Sequence, residues 1–430
     1  MKEKITRRDF LGKAAVLSAF TIVPRYVLGG TGYLAPSDKI SLGFIGCGKQ
    51  AFGLKGAFLN TDMAQITAAC DVYGHKLNAF TTEVNKYYAD KLNRADYKGC
   101  KPHDDFREVL GRKDIDGVVI ATPDHWHAAM AVRAAAAGKD IYCEKPLSLT
   151  VAEGRAMVNA TRKHNRVFQT GSMQRSWKEF RDTVELVRAG AIGKIKTIKV
   201  SVGGPPKPYD LQGQTVPADL NWSRWLGPNE YVAYHPDLAP ALKDEFWGRW
   251  RLYKEFGGGG MTDWGAHMFD IAQWALDKDD SGPVEVIPPD GKDYKFLTYK
   301  YADGVTMTHE DFGITNAVRF IGTDGQIDVE RGKMVTSPAV LKDKIPAAGS
   351  GKVYRSEDHY KDFLNAILKR SKPVCDVETG HRTATVCNIG NIAYELNRPL
   401  KWDPVKEKFN DAAANALCTR KLGREWGIRL

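Results

Sequence analysis

Gly43-Phe44-Ile45-Gly46-Cys47-Gly48-Lys49-Gln50-Ala51 decides how this chain is read. The glycines follow an apolar run, Ile40–Ile45, that reads as a buried strand, and they open a helix expected over Ala51–Leu59. Gly46 permits a tight turn, Gly48 lets the backbone approach a ligand, and Ala51 allows close helix–strand packing. The spacing is G-x-G-x-x-A, and the N-terminus of the helix presents free N–H groups and partial positive charge to an anion. Outward from it, the next strand, Gln65–Asp71, ends on a carboxylate 25 positions after Gly46. An acidic side chain there accepts hydrogen bonds from adenosine ribose hydroxyls and repels a 2′-phosphate. Val72 and Tyr73 follow it, with no arginine. The expectation is a dinucleotide site for NAD rather than NADP, with Lys49 and Gln50 beside the diphosphate.

The alternation continues. A helix is expected over Tyr73–Tyr88, a strand over Asp116–Thr122, a helix over His125–Ala137, and a strand over Asp140–Glu144. A helix over Val151–His164 and a strand over Val167–Gly171 complete it. Strands alternating with helices imply a parallel sheet covered on both faces. Beyond it the pattern changes. Ile195–Val202 reads as a strand, and Pro205–Tyr253 as a Trp- and Pro-rich loop region. Helical spacing resumes after the glycines at 257–260. Ala302-Asp303-Gly304 and Thr323-Asp324-Gly325 read as hairpin turns between strands. Late helices are expected over Asp358–Arg370 and Thr383–Leu396. The fold class is therefore α/β, a doubly wound parallel sheet followed by an α+β domain with an open, mixed, mainly antiparallel sheet. The expected boundaries are 1–35 for a signal and linker, 36–171 for the first domain, 172–402 for the second, and 403–430 for a tail.

The net charge is +10 over 430 residues. Six basic residues against Glu3 and Asp9 among the first thirty supply four of those charges. No long Lys/Arg run remains, which argues against nucleic-acid binding. Seven cysteines without a CxxC pair argue against a zinc site or a disulfide framework. Thr6-Arg7-Arg8-Asp9-Phe10-Leu11, followed by the apolar run Ala14 to Val23, resembles a twin-arginine export signal. That run is too short to span a membrane, so the expected location is periplasmic or otherwise exported, without stable membrane insertion.

Three further clusters carry chemistry. Thr122-Pro123-Asp124-His125-Trp126-His127 lies at the C-terminal end of a strand, where open α/β sheets bind ligands. Trp126 or His127 there could line the nicotinamide side, while Thr122 and Asp124 cap a helix. Glu144-Lys145-Pro146 ends another strand, and an ammonium there can stabilise negative charge developing on a reacting oxygen. Asp263-Trp264-Gly265-Ala266-His267 places a carboxylate and an imidazole four apart, on one face if the segment is helical. No HExxH or third ligand accompanies them, so no metal is expected.

Taken together, the glycines at 46 and 48, Asp71, Thr122-Pro123 with His127, Glu144-Lys145-Pro146 and Asp263-x-x-x-His267 resemble the glucose–fructose oxidoreductase/inositol dehydrogenase/rhizopine-catabolism (Gfo/Idh/MocA) family, in its exported subgroup. Lys49-Gln50 departs from the Gly-Arg of many exported members. The resemblance implies bound NAD, Lys145 in the catalytic site, His267 as acid/base and Asp263 as the substrate-site carboxylate. It implies that His125, Glu144 and Gln174 lie with the cofactor, and that Arg175, Tyr209 and Trp225 face the substrate. It also implies a homo-oligomer formed through the second domain's sheet. The implied reaction is hydride transfer from a sugar hydroxyl carbon. Because an exported protein meets no NAD pool, the cofactor must stay bound and be regenerated in place. A redox-neutral glycoside cleavage, as in the NAD-dependent N-acetylgalactosaminidases that this chain also resembles, meets the same demand. The third alternative is a non-catalytic carbohydrate-binding protein on the same fold.

Overall fold

The apolar run at Ile40–Ile45 forms β1, buried along its whole length, as a strand covered on both faces must be. It lies between β2 (Ala64–Cys70) and β4 (Gly117–Ile120). With β3 (Lys101–His103), β5 (Asp140–Cys143) and β6 (Phe168–Thr170), these build a six-stranded parallel sheet in the order β3-β2-β1-β4-β5-β6. Helices α1 (Lys49–Leu59), α2 (Gly74–Leu92), α3 (Phe106–Gly111), α4 (Asp124–Ala136) and α5 (Val151–Lys163) link them. The strand order reverses at β1/β4, and ligands bind outside the strand ends at such a switch point. The computed structural model describes residues 38–346, 351, 353–423 and 425–428, so the twin-arginine stretch within 1–35 lies outside the described residues.

The second domain holds α6 (Lys178–Arg188), β7 (Ile195–Ser201), α7 (Trp222–Leu226), α8 (Gly260–Asp263) and α9 (Gly265–Ala275). Strands β8 (Glu285–Ile287), β9 (Leu297–Lys300), β10 (Thr306–His309), β11 (Ala317–Gly322), β12 (Gln326–Glu330) and β13 (Lys333–Ser337) follow. Then come α10 (His359–Lys369), α11 (Val377–Leu396), β14 (Leu400–Asp403), β15 (Lys408–Phe409) and α12 (Ala412–Leu417). The nine strands run β13-β12-β11-β7-β10-β9-β8-β14-β15, with β7–β10 the parallel pair and the other pairings antiparallel. Both hairpin signals lie where expected, between β9 and β10 and between β11 and β12.

Phe180, Phe269 and Val386 from α6, α9 and α11 pack with Val200, Met307 and Val318 of the sheet. The two late helices also reach back. Phe363 and Leu364 of α10 join one core of the first domain, and Val377 and Ala384 of α11 join the other. The described residues of the stretch read from sequence as a tail pack against both domains. β14 and β15 extend the large sheet, Arg420 pairs with Glu153, and Trp426 stacks edge-on against Trp126 of α4 at 5.0 Å. The Pro205–Tyr253 region carries little regular structure. It builds its own cluster from Trp222, Trp225, Leu238, Trp250 and Phe256, closed by Tyr73 of the first domain.

Candidate active site

At the switch point the chain turns at Gly46, where φ is +89° and an added Cβ would stand 2.7 Å from the Ala121 carbonyl oxygen. Only glycine accommodates both conditions. Gly48 opens α1 with no side-chain cap and no atom within 4 Å of where a Cβ would be. The uncapped helix start therefore has room for an anion, which is what a diphosphate requires. Asp71 accepts the Cys47 N–H at 2.6 Å and the Tyr73 N–H at 2.9 Å, joining the glycine turn to the end of β2. Lys76 lines the same end of the cavity, and burial lowers its pKa from the ordinary value. Sequence reading passed over it.

One cavity of about 570 Å³ runs from this turn to the second domain. Its first-domain wall includes Gly46, Gly48, Lys49, Gln50 and Asp71, with Thr122, Pro123 and Trp126 from the end of β4. Glu144 and Lys145 end β5, and Asp263, His267 and Trp225 come from the second domain. Thirteen positions chosen from sequence thus share one space. The glycine turn, the ammonium and the imidazole are separated by more than two hundred residues of chain, and the topology alone unites them.

The chemistry centres on Lys145. Its Nζ donates to Asp263 Oδ1 at 2.6 Å and to the Asp263 carbonyl at 2.9 Å. Burial pushes the Asp263 carboxyl upward, but Lys145 and Arg251 outweigh it and hold its pKa below the ordinary value. Asp263 ends α8, Trp264 breaks the helix, and His267 lies in α9, so the pair does not share one continuous helix but still meets at the cavity. Burial, then Lys145 and Arg331, depress His267 well below its ordinary pKa. The imidazole is neutral at physiological pH. Arg331 Nη2 lies 3.1 Å from His267 Nε2. A guanidinium only donates, so Nε2 accepts and the proton sits on Nδ1, which has no partner. Glu144 is buried beside this pair, accepting from Gln50 Nε2 at 2.9 Å, and the space for it depends on Gly171, where a Cβ would stand 2.9 Å from the carboxylate.

Five expected contacts are not on the cavity wall. Arg175 is fully buried and doubly bonded to both Asp270 and Asp279 at 2.7–2.9 Å. Removing it would strand buried charge, at about 3–5 kcal/mol, which identifies a structural ion pair and not a substrate ligand. Tyr209 donates its hydroxyl to the Ala233 carbonyl and packs on Tyr253 and Phe256. His125, pushed down to about 3 by burial, lies behind the wall with its Nε2 at 3.0 Å from the Trp225 carbonyl. His127, pushed down to about 4, sits between the Pro146 and Thr122 carbonyls at 2.9 and 3.0 Å and ties the two strand-end loops together. Gln174 accepts from Arg331 Nε at 3.1 Å, one layer behind His267.

Besides Lys76, sequence reading missed Arg251 and Arg331 on the wall and gave Asp124 only a capping role. Asp124 does not cap its helix. Its carboxyl is buried, and burial holds its pKa well above the ordinary value. Arg251 lies 4.2 Å over the Trp250 ring, and the Trp-Arg alternation at 247–251 was the available signal. The segment Leu238–Trp250 forms a strap along the dinucleotide end of the cavity. Lys49 Nζ pins it by bonding the Asp244 and Phe246 carbonyls, so that side chain holds protein backbone in place of phosphate.

The oxidoreductase-family NAD-binding Rossmann domain of Gfo/Idh/MocA proteins matches residues 40–172, and the same family's C-terminal alpha/beta domain matches residues 205–428. The chain belongs to the Gfo/Idh/MocA oxidoreductase family. Its first domain is that family's NAD-binding domain, and the open crevice at Gly48 fits the cofactor. Among curated relatives, a glycosyl hydrolase family 109 protein of Shewanella baltica is 29% identical over 207 residues, covering 44% of each chain. One from Stenotrophomonas maltophilia is 25% identical over 230 residues, 51% of this chain and 49% of the relative. The chain spans about half the length of the curated relatives it matches. The WlbA dehydrogenase of Bordetella pertussis, solved with NADH and UDP-GlcNAcA, superposes with a TM-score of 0.61 at 18% identity, covering 85% of this chain and 98% of that one. The aldose-aldose oxidoreductase of Caulobacter crescentus gives 0.55 at 19% identity over 84% and 99%. At these identities the likeness is one of fold.

Proposed function

We propose that this family member oxidises a hydroxyl of a sugar or sugar derivative with NAD that stays bound between turnovers. The observation that carries the reading is the convergence of Lys145, Asp263 and His267 on the cavity that begins at the glycine turn. Bound nicotinamide supplies the hydride acceptor. Lys145, oriented by Asp263, donates a hydrogen bond to the reacting oxygen and stabilises its developing charge. His267, neutral because it is buried beside cations, accepts the hydroxyl proton. The strap pinned by Lys49 supports retention of the nucleotide.

A second reading is favoured by the family 109 glycosyl hydrolase relatives. In it the same site oxidises a ring hydroxyl, the neighbouring C–H loses its proton, the glycosidic oxygen leaves, water adds, and the hydride returns. The net reaction is hydrolysis. The twin-arginine stretch supports export of the folded, loaded protein, and assembly through the second domain's sheet belongs to the same proposal. Export is tested by fractionation of Arg7→Lys/Arg8→Lys, and assembly by sedimentation.

To test the function, the purified protein is denatured and released NAD is counted, expected at one per chain. The native protein is then given glycosides in deuterated water without added cofactor. Keto-sugar formation dependent on an electron acceptor supports the dehydrogenase. Aglycone release with deuterium beside the oxidised carbon supports the cleavage cycle. Sugar binding without either product, equal in Lys145→Ala, overturns both in favour of a binding protein.

A further inference from the structure

Arg331 occupies the two-residue turn between β12 and β13 and reaches the cavity wall beside His267. Its guanidinium lies 4.6 Å from the Trp264 ring centre and 5.1 Å from that of Trp177. Nε donates to Gln174 Oε1 and Nη2 to His267 Nε2, each at 3.1 Å, so its position is set by two neutral side chains and two aromatic faces. Among the described residues no carboxylate lies within ion-pair distance of it. Burial lowers its pKa, and only distant Asp263 acts the other way.

The surroundings do not supply the missing charge. Asp263 is shared by Lys145 at 2.6 Å and Arg251 at 3.5 Å. Asp124 and Glu144, the other wall carboxyls at this end, are both pushed toward their neutral forms by burial, and the cations acting on them are Lys145 and Arg251. None of these carboxyls forms an ion pair with Arg331. Arg331 keeps solvent exposure, and two tryptophan rings lie against a guanidinium that no counter-charge pairs. The cofactor's diphosphate belongs at the other end, by Gly48. Arg331 is thus an accessible, unpaired cation on the wall beside His267, placed to meet the molecule that reacts.

We propose that the sugar taken by this site carries an anionic group, a carboxylate or a sulfate or phosphate ester, and that Arg331 is its receptor. The inference rests on the sugar-oxidoreductase reading and narrows its substrate to acidic sugars. A guanidinium near two indole rings, 4.6 and 5.1 Å from their centres, still carries the planar fork of donors that matches such an oxyanion. Binding has a second consequence. When the anion draws Arg331 away from His267 Nε2, the imidazole regains the lone pair it needs as a base. The substrate's charge therefore frees the proton acceptor, and a neutral sugar leaves it engaged.

The test uses the full chain with its nucleotide bound. Calorimetric titration compares a methyl hexoside with the matching hexuronoside and the hexoside 6-sulfate, which separates carboxylate from ester recognition. Inorganic sulfate serves as the competitor. Either acidic sugar is expected to bind about ten- to a hundredfold more tightly than the neutral one, the range of one or two charge-assisted hydrogen bonds. Arg331→Gln is expected to lose the preference and Arg331→Lys to keep part of it. Retained nucleotide and an unchanged circular dichroism spectrum show that both variants fold. Equal affinity for acidic and neutral sugars overturns the proposal, as does a preference that survives Arg331→Gln. Loss of bound nucleotide in a folded Arg331→Gln also overturns it, by assigning the guanidinium to the diphosphate. If acidic sugars bind preferentially but never reduce the nucleotide, the redox reading fails and the anion site stands.

Discussion

Replacing Lys145 by methionine deletes one ammonium and keeps most of the side chain's length. Two hydrogen bonds disappear, at 2.6 and 2.9 Å to Asp263, and Arg251 at 3.5 Å becomes that carboxylate's remaining cation. The fold should tolerate this. The ion pair is partly exposed and Arg251 still compensates Asp263, so the stability loss is about 1 kcal/mol. The reaction should not tolerate it. A positioned donor aimed at a developing oxyanion contributes about 3–4 kcal/mol, or a hundred- to a thousandfold in kcat. The pH profile should move as well. Lys145 is one of the charges that hold His267 low, so its removal raises the imidazole's pKa and shifts the acid limb of the rate profile to higher pH. The assay is a single turnover of the nucleotide-loaded protein, followed by the near-ultraviolet absorbance of the reduced nicotinamide, with released NAD as the loading control. A variant that stays loaded and turns over within about fivefold of the parent would refute the role given to Lys145. So would a loss that appears in KM alone.

Gly46→Ala forces a side chain into the left-handed region against the Ala121 carbonyl, and should cost about 2 kcal/mol or more together with the bound NAD, read by thermal denaturation and nucleotide release. Lys49→Ala removes the pin on the strap and should leave the fold intact while speeding exchange of bound for labelled NAD about tenfold or more, since hydrogen bonds from a charged group are lost. Unchanged exchange would mean that the strap does not retain the nucleotide. For pH dependence, His125 and His359 are buried and pushed down to about 3 and about 4, and His127 likewise to about 4. Their folded pKa values lie below the unfolded value near 6.5, so the unfolded chain takes up protons that the folded chain refuses. Stability should therefore hold above about pH 6.5 and fall as the pH drops toward 4, by up to about 1.4 kcal/mol per pH unit for each histidine, measured by urea denaturation at stepped pH.

The corrections share a cause. Arg175 looked like a ligand because it follows the strand that ends the first domain, yet its partners Asp270 and Asp279 lie about a hundred residues on. His125 and Tyr209 are of types that often touch ligands, and both are spent on backbone carbonyls of the Trp-rich region. Arg331 and Arg251 were missed for the converse reason. A cation in a hairpin turn is ordinary surface chemistry until the fold brings it against two indole rings and His267.

What the amino-acid sequence determined by itself is local. The Rossmann half was legible because parallel strands buried on both faces must be continuous apolar runs, and because a φ of +89° at Gly46 with bare space at Gly48 admits little but glycine. Lys145 and His267 were singled out through the family resemblance of Glu144-Lys145-Pro146 and Asp263-x-x-x-His267, since a lysine after a strand or a histidine on a helix is by itself ordinary. The short strands Lys101–His103 and Lys408–Phe409 were not, since their pairing comes from neighbouring strands and not from their own residues. Tertiary structure alone decided which polar groups face the cavity and which are used up holding it, because that depends on partners one to three hundred residues away and on which charges are left without one.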